Sequence, residues 1–166
     1  MQSSRDLART LLQKCRDAGV MIATAESCTG GMIAAALTDI PGSSDVFDRG
    51  FVSYSYPSKT DLLGVSADVL STDGAVSERV AKAMAAGARD RSRAGLSLAV
   101  TGVAGPGASD HKPEGMVWFG CTDPHGTTTT ELMQFGALGR DTVRAATVRH
   151  ALTIGIATMD RFSLTN

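Results

Sequence analysis

Residues 20–40 read VMIATAESCTGGMIAAALTDI, and the fold is decided here. Val20 to Ala25 is a short apolar run of strand length, while Met32 to Ile40, rich in Ala and Leu, reads as a helix. Between them lie Glu26-Ser27-Cys28-Thr29-Gly30-Gly31, which put a hydroxyl and two glycines where a strand gives way to a helix. Pro41-Gly42-Ser43-Ser44 is turn chemistry and ends the helix.

Working outward, Ser3 and Ser4 can cap a first helix with the apolar stripe Leu7, Leu11, Leu12 and Cys15, stopped by Gly19. Downstream, Phe51 to Ser55 alternates large and small residues as a strand does. Pro57 suits the first position of a short helix carrying Lys59, Leu62 and Leu63 and ending at Gly64. Ser77 opens a helix to about Arg93, with Val80, Met84 and Ala88 inward. Leu96 to Val100 is a strand, and Met116–Thr122 with Thr128–Phe135 form a hairpin through Asp123-Pro124-His125-Gly126. Asp141 to about Arg161 is a long helix with Val148, Leu152, Ile156 and Met159 on one face. Early strand–helix alternation and a late hairpin predict an α/β fold: a three-layer α/β/α sandwich with a mixed sheet. No repeat or linker interrupts residues 1–166, so one domain is expected.

Composition narrows the function. The 16 Lys and Arg nearly cancel the 17 Asp and Glu, so no broad field invites nucleic acid or an anionic membrane. Phosphate recognition must then be local. The three cysteines, Cys15, Cys28 and Cys121, lack metal-ligand or disulfide spacing, so no metal is expected. The N-terminus lacks the apolar core of a signal peptide, and no apolar stretch reaches membrane-spanning length, which makes a cytoplasmic location the default.

Four motifs could carry chemistry. Ser27 sits where a helix N-terminus would offer free amides to an oxyanion, and Gly30 and Gly31 permit close approach of a ligand. Equally, Ser27 or Thr29 would serve as a simple helix cap. A serine nucleophile needs a base. His111 and His125 lie in loop segments and His150 deep in the last helix, none with an obvious partner. Lys59, at a strand end in Tyr54-Ser55-Tyr56-Pro57-Ser58-Lys59, could serve if burial lowers its pKa, or could be a solvated helix residue, with Tyr54 as core. Thr101-Gly102-Val103-Ala104-Gly105-Pro106-Gly107 follows a strand and suits a ligand cradle or a plain turn. Arg140 and Arg144 share one face at the start of the last helix, placed for a phosphate or for surface ion pairs. Cys28 reads as a packed small residue.

Taken together, Thr24 to Gly31, Tyr54-Ser55-x-x-x-Lys59 with Leu62-Leu63-Gly64-Val65, Ala99 to Pro106 and Arg140-x-x-Val143-Arg144 resemble the C-terminal domain of the CinA family. The likeness runs from about Asp6 to Met159. It implies a nicotinamide-nucleotide amidohydrolase, a serine–lysine amidase that uses no metal or cofactor and turns nicotinamide mononucleotide into nicotinate mononucleotide and ammonia. On that resemblance Ser27 is the nucleophile, Lys59 the base, and Tyr54 a group that polarises the serine or relays its proton. Thr29, Gly30, Gly31, Thr101, Gly102, Ala104 and Gly105 line the nucleotide site, and Arg140 or Arg144 meets the phosphate.

A homodimer or higher assembly is also implied, as are no nucleic-acid or membrane partner. Larger members add an N-terminal nucleotide-pyrophosphatase domain, for which 166 residues leave no room. Tyr56, Pro57 and the loop Gly107-Ala108-Ser109-Asp110-His111 depart from the family pattern. Two rival readings stand beside the amidase: a non-catalytic nucleotide-binding module, and an amidase for another small amide.

Overall fold

The computed structural model describes residues 1–166. A five-stranded sheet has the order β2-β1-β3-β4-β5. Its strands are β1 (Ile22–Glu26), β2 (Phe47–Val52), β3 (Leu96–Gly102), β4 (Met116–Thr122) and β5 (Thr128–Gln134). β2, β1 and β3 run parallel; β4 and β5 form the antiparallel hairpin. On one face pack α1 (Ser4–Ala18), α2 (Met32–Thr38) and α6 (Arg140–Leu164), over a core of 23 buried residues. The other face carries α3 (Tyr56–Leu63), α4 (Ala67–Asp73) and α5 (Glu78–Asp90), over only nine. The three layers and mixed sheet are those expected.

Local chemistry explains most element ends. Ser3 Oγ accepts from the Asp6 amide to start α1, and Gly19, at φ 65°, closes it in the left-handed region. All four residues of the predicted stripe, Leu7, Leu11, Leu12 and Cys15, are buried. Ser77 caps α5 through the Val80 amide. β1 is buried at every position, as a central parallel strand should be.

Several boundaries differ from expectation. The second strand runs Phe47–Val52 rather than Phe51–Ser55. As a sheet edge it tolerates Asp48 and Arg49 in its middle, which blurs the alternation. Ser53 and Ser55 are then free for other work: the Ser53 amide bonds Glu26 O at 2.8 Å, and Ser55 caps α3. Tyr56, not Pro57, opens that helix. α4 has no counterpart in the sequence reading, because Leu70 is its only buried residue and no apolar period marks it. α5 ends at Asp90, and α6 extends from Arg140 to Leu164.

The topology fixes where a site can form. β1 leads to β2 on one side and, through α3–α5, β2 leads to β3 on the other. The carboxyl ends of β1 and β3 therefore flank a switch point, where open α/β sheets hold their ligands. The loops after β1, β2, β3 and β5 all leave the sheet at this end. The tight turn Asp123–Thr127 sits at the opposite end. No helix is long and apolar enough to cross a membrane.

Candidate active site

Ser27 and Lys59 meet at the switch point. Lys59 is fixed by a capping box: Ser55 Oγ accepts from the Ser58 amide at 3.3 Å, and Ser58 Oγ accepts from the Ser55 amide at 3.1 Å. The first turn of α3 is thereby locked, and it sends Lys59 inward. The side chain is 0% exposed, and its Nζ donates to Ser53 O at 2.6 Å and to Ser27 Oγ at 2.9 Å. Burial disfavours the charged amine and lowers its pKa from 10.5 to about 8; Cys28 pulls weakly the other way. No carboxylate lies near enough to restore the charge.

Ser27 follows β1 directly, its amide bonded to Val100 O at 3.1 Å across the sheet. The turn that carries it is braced from inside by Glu26. This carboxylate, 1% exposed, accepts from Thr29 Oγ1 at 2.6 Å and from the amides of Ile33 and Ala34 at 2.8 and 3.0 Å. The start of α2 was expected to hold an oxyanion; Glu26 already takes two of its amides, those of Ile33 and Ala34. Ala104 and Gly105, after β3, also border the cleft, and neither amide donates to another backbone group.

The cleft over Ser27 has a volume of about 270 Å³. Of the residues expected to bind substrate, Thr101, Gly102, Ala104, Gly105 and Arg140 line it. Thr101 Oγ1 is engaged there, donating to Ala75 O at 2.8 Å. Thr29, Gly30, Gly31 and Arg144 do not line it. Thr29 is buried against Glu26. Gly30 and Gly31, at φ 59° and 106°, make the turn rather than a ligand cradle. Arg144 donates from Nε to Cys28 O at 3.1 Å and from a terminal nitrogen to Thr29 O at 3.2 Å, clamping the turn that follows Ser27.

Tyr54 also lines the cleft, yet it is 59% exposed and bonds neither Ser27 nor Lys59. Its hydroxyl accepts from Arg140 at 2.9 Å, and Arg140 also donates to Gly105 O at 2.8 Å. The phenol thus belongs to the rim, not to a proton relay. Cys28 lines the cleft with its thiol pKa pushed up to about 11 by burial, so it stays protonated and unreactive.

Three contributors were not singled out from the sequence. Ser53 acts through its carbonyl, which any residue type would supply. Glu26 could have been suspected as a buried acid preceding a helix, although it reaches seven and eight residues ahead. Glu114 accepts from the amides of Gly107 and Gly139, tying the loop after β3 to the start of α6. Those two bonds hold its carboxyl below the usual range.

A family model described as the CinA C-terminal domain matches residues 4–159. A nicotinamide-nucleotide amidohydrolase of Escherichia coli K12 is 43% identical over 153 residues, covering 92% of this chain and 90% of its own length. A CinA-like protein of Akkermansia muciniphila is 53% identical over 114 residues, 68% of this chain but only 28% of that protein. The chain spans about a third of the length of such CinA-like relatives. Among solved structures, the competence/damage inducible protein CihA from Agrobacterium tumefaciens superposes with a TM-score of 0.91 at 48% identity, covering 95% of this chain and 96% of that one.

Proposed function

Because the chain belongs to the CinA C-terminal domain family, we propose that it hydrolyses the carboxamide of nicotinamide mononucleotide, releasing ammonia and nicotinate mononucleotide, with Ser27 as nucleophile and Lys59 as base. The substrate comes from the relatives whose names state that activity. The mechanism rests on one observation, the buried amine 2.9 Å from the Ser27 hydroxyl.

With a pKa of about 8, roughly a quarter of Lys59 is neutral at pH 7.5. In that form Nζ keeps one N–H on Ser53 O, and its lone pair accepts the proton that Ser27 gives up as Oγ attacks the amide carbon. The oxyanion meets the amides of Ala104 and Gly105, each worth about 10²–10³ in rate if it matches known oxyanion donors. Lys59 then passes that proton to the amide nitrogen as the C–N bond breaks, so that ammonia departs and an acyl-serine is left. Water, deprotonated by the same amine, releases nicotinate mononucleotide and restores Ser27. A module that only bound nucleotide would have no use for a buried amine held on a hydroxyl.

Ammonia release decides the matter. Ser27→Ala and Lys59→Ala should each lower kcat at least about a thousandfold while the protein stays folded by circular dichroism. Normal turnover in either variant refutes the dyad. Nicotinamide and its riboside, which lack the phosphate, should be poor substrates; equal rates on them would point to a different small amide.

A further inference from the structure

The cleft is lined by a single carboxylic acid, Asp110, against three bases, Lys59, Lys112 and Arg140. Each base is already engaged. Lys59 holds Ser27 and Ser53 O, Lys112 donates to the carbonyls of Asp73 and Val76, and Arg140 spans Gly105 O and Tyr54. Asp110 is different. It stands in the left-handed region at φ 49°, followed by His111 at 62°, in a loop whose Ser109 and Lys112 backbones bond each other. Aspartate accepts that conformation more readily than most residues.

One carboxylate oxygen of Asp110 is held, and the direction of the bond is fixed. Tyr56 Oη accepts from the Ala75 amide at 3.1 Å, so its only proton is aimed at Asp110 Oδ2, also at 3.1 Å. Oδ1 receives no hydrogen bond from the protein. An ionised carboxylate offers about four acceptor sites, and most of those on Asp110 remain open beside the cleft.

Resting on the nicotinamide mononucleotide reading above, we propose that Asp110 is a specificity residue that accepts hydrogen bonds from the ribosyl hydroxyls of the substrate. A vicinal diol presents two O–H donors close together, and a carboxylate accepts both through short, charge-assisted bonds. Lysine and arginine have no acceptor, so the three bases cannot substitute. Tyr56 acts as its positioning residue, holding the carboxylate across the mouth from α3.

The experiment compares wild type with Asp110→Asn on nicotinamide mononucleotide and on its 2′,3′-dideoxyribosyl analogue, by ammonia release. In wild type, removing the hydroxyls should raise KM about tenfold with a smaller change in kcat. In Asp110→Asn, KM for nicotinamide mononucleotide should rise by a similar factor, and the penalty for the missing hydroxyls should shrink below about threefold. An equal rise in KM for both substrates would mean that the carboxylate only balances the cationic ring, which overturns the proposal. So would unchanged constants. A wild type inert on both compounds would instead sink the substrate reading, and this inference with it.

Discussion

A lysine amine in water sheds its proton near pH 10.5, whereas Lys59, with no exposed surface, does so at about 8. The same burial therefore favours the neutral amine and strains the fold. Below pH 8 both folded and unfolded chains carry the proton, and the folded one bears the desolvation cost in full. Between 8 and 10.5 the unfolded chain binds a proton the folded chain has lost, so stability rises with pH across that window, by about 3 kcal/mol from this group. Activity should follow the folded value: kcat/KM climbs with pH and levels off above about 8. Lys59→Met removes the charge at similar length. Its stability relative to wild type, measured by urea unfolding, should fall by about 3 kcal/mol between pH 7 and 10.5. A constant difference would mean that Lys59 is not the group titrating. Residue chemistry of this kind was only half legible in the sequence. The sequence singled out Ser27 and Lys59, which the fold brings together, but nothing local announces that Ser53 lends a carbonyl, or that Tyr54 turns its hydroxyl to Arg140.

At the scale of elements, the face holding α3, α4 and α5 has the thinner core and relies on close backbone approach. A Cβ on Gly87 of α5 would lie 2.0 Å from Leu63 O, at the end of α3, and one on Gly120 of β4 only 2.4 Å from Ala81 O. Alanine normally improves a helix by about 1 kcal/mol over glycine. Here the clash is with a carbonyl that cannot rotate away, and overpacking costs about 1–3 kcal/mol. Gly87→Ala should therefore lower Tm. It should also cut kcat more than about tenfold, because Lys59 lies one turn before Leu63 and moves with α3. Unchanged turnover would show that α3 is not held by this contact. The helices with strong apolar stripes, α1 and α5, could be read in advance, as could the hairpin with its Pro-His-Gly turn. α4 could not, since a seven-residue helix with one buried side chain carries no period to detect. β2 slipped by several residues because an edge strand accepts charge where a central one would not.

For the whole molecule, strand–helix alternation was enough to foretell three layers, and the sequence motifs fell after β1, β2, β3 and β5, at one end of the sheet. What alternation cannot supply is strand order, and with it the meeting of residues 32 positions apart in a single pocket. The resulting molecule is polar in the geographical sense, with its chemistry confined to one pole. At the other, the Asp123–Thr127 turn closes on itself through the Thr127 and Gly126 amides, with Gly126 exposed. A flexible ten-residue insertion after His125 should cost about 1–2 kcal/mol and leave kcat within about twofold. The same insertion after Gly107 should abolish ammonia release by parting Glu114 from its amides. Such a pole is a natural handle. A reporter or tether spliced there would ride on the protein without entering the cleft, and a surface could hold the molecule with every cleft facing outward.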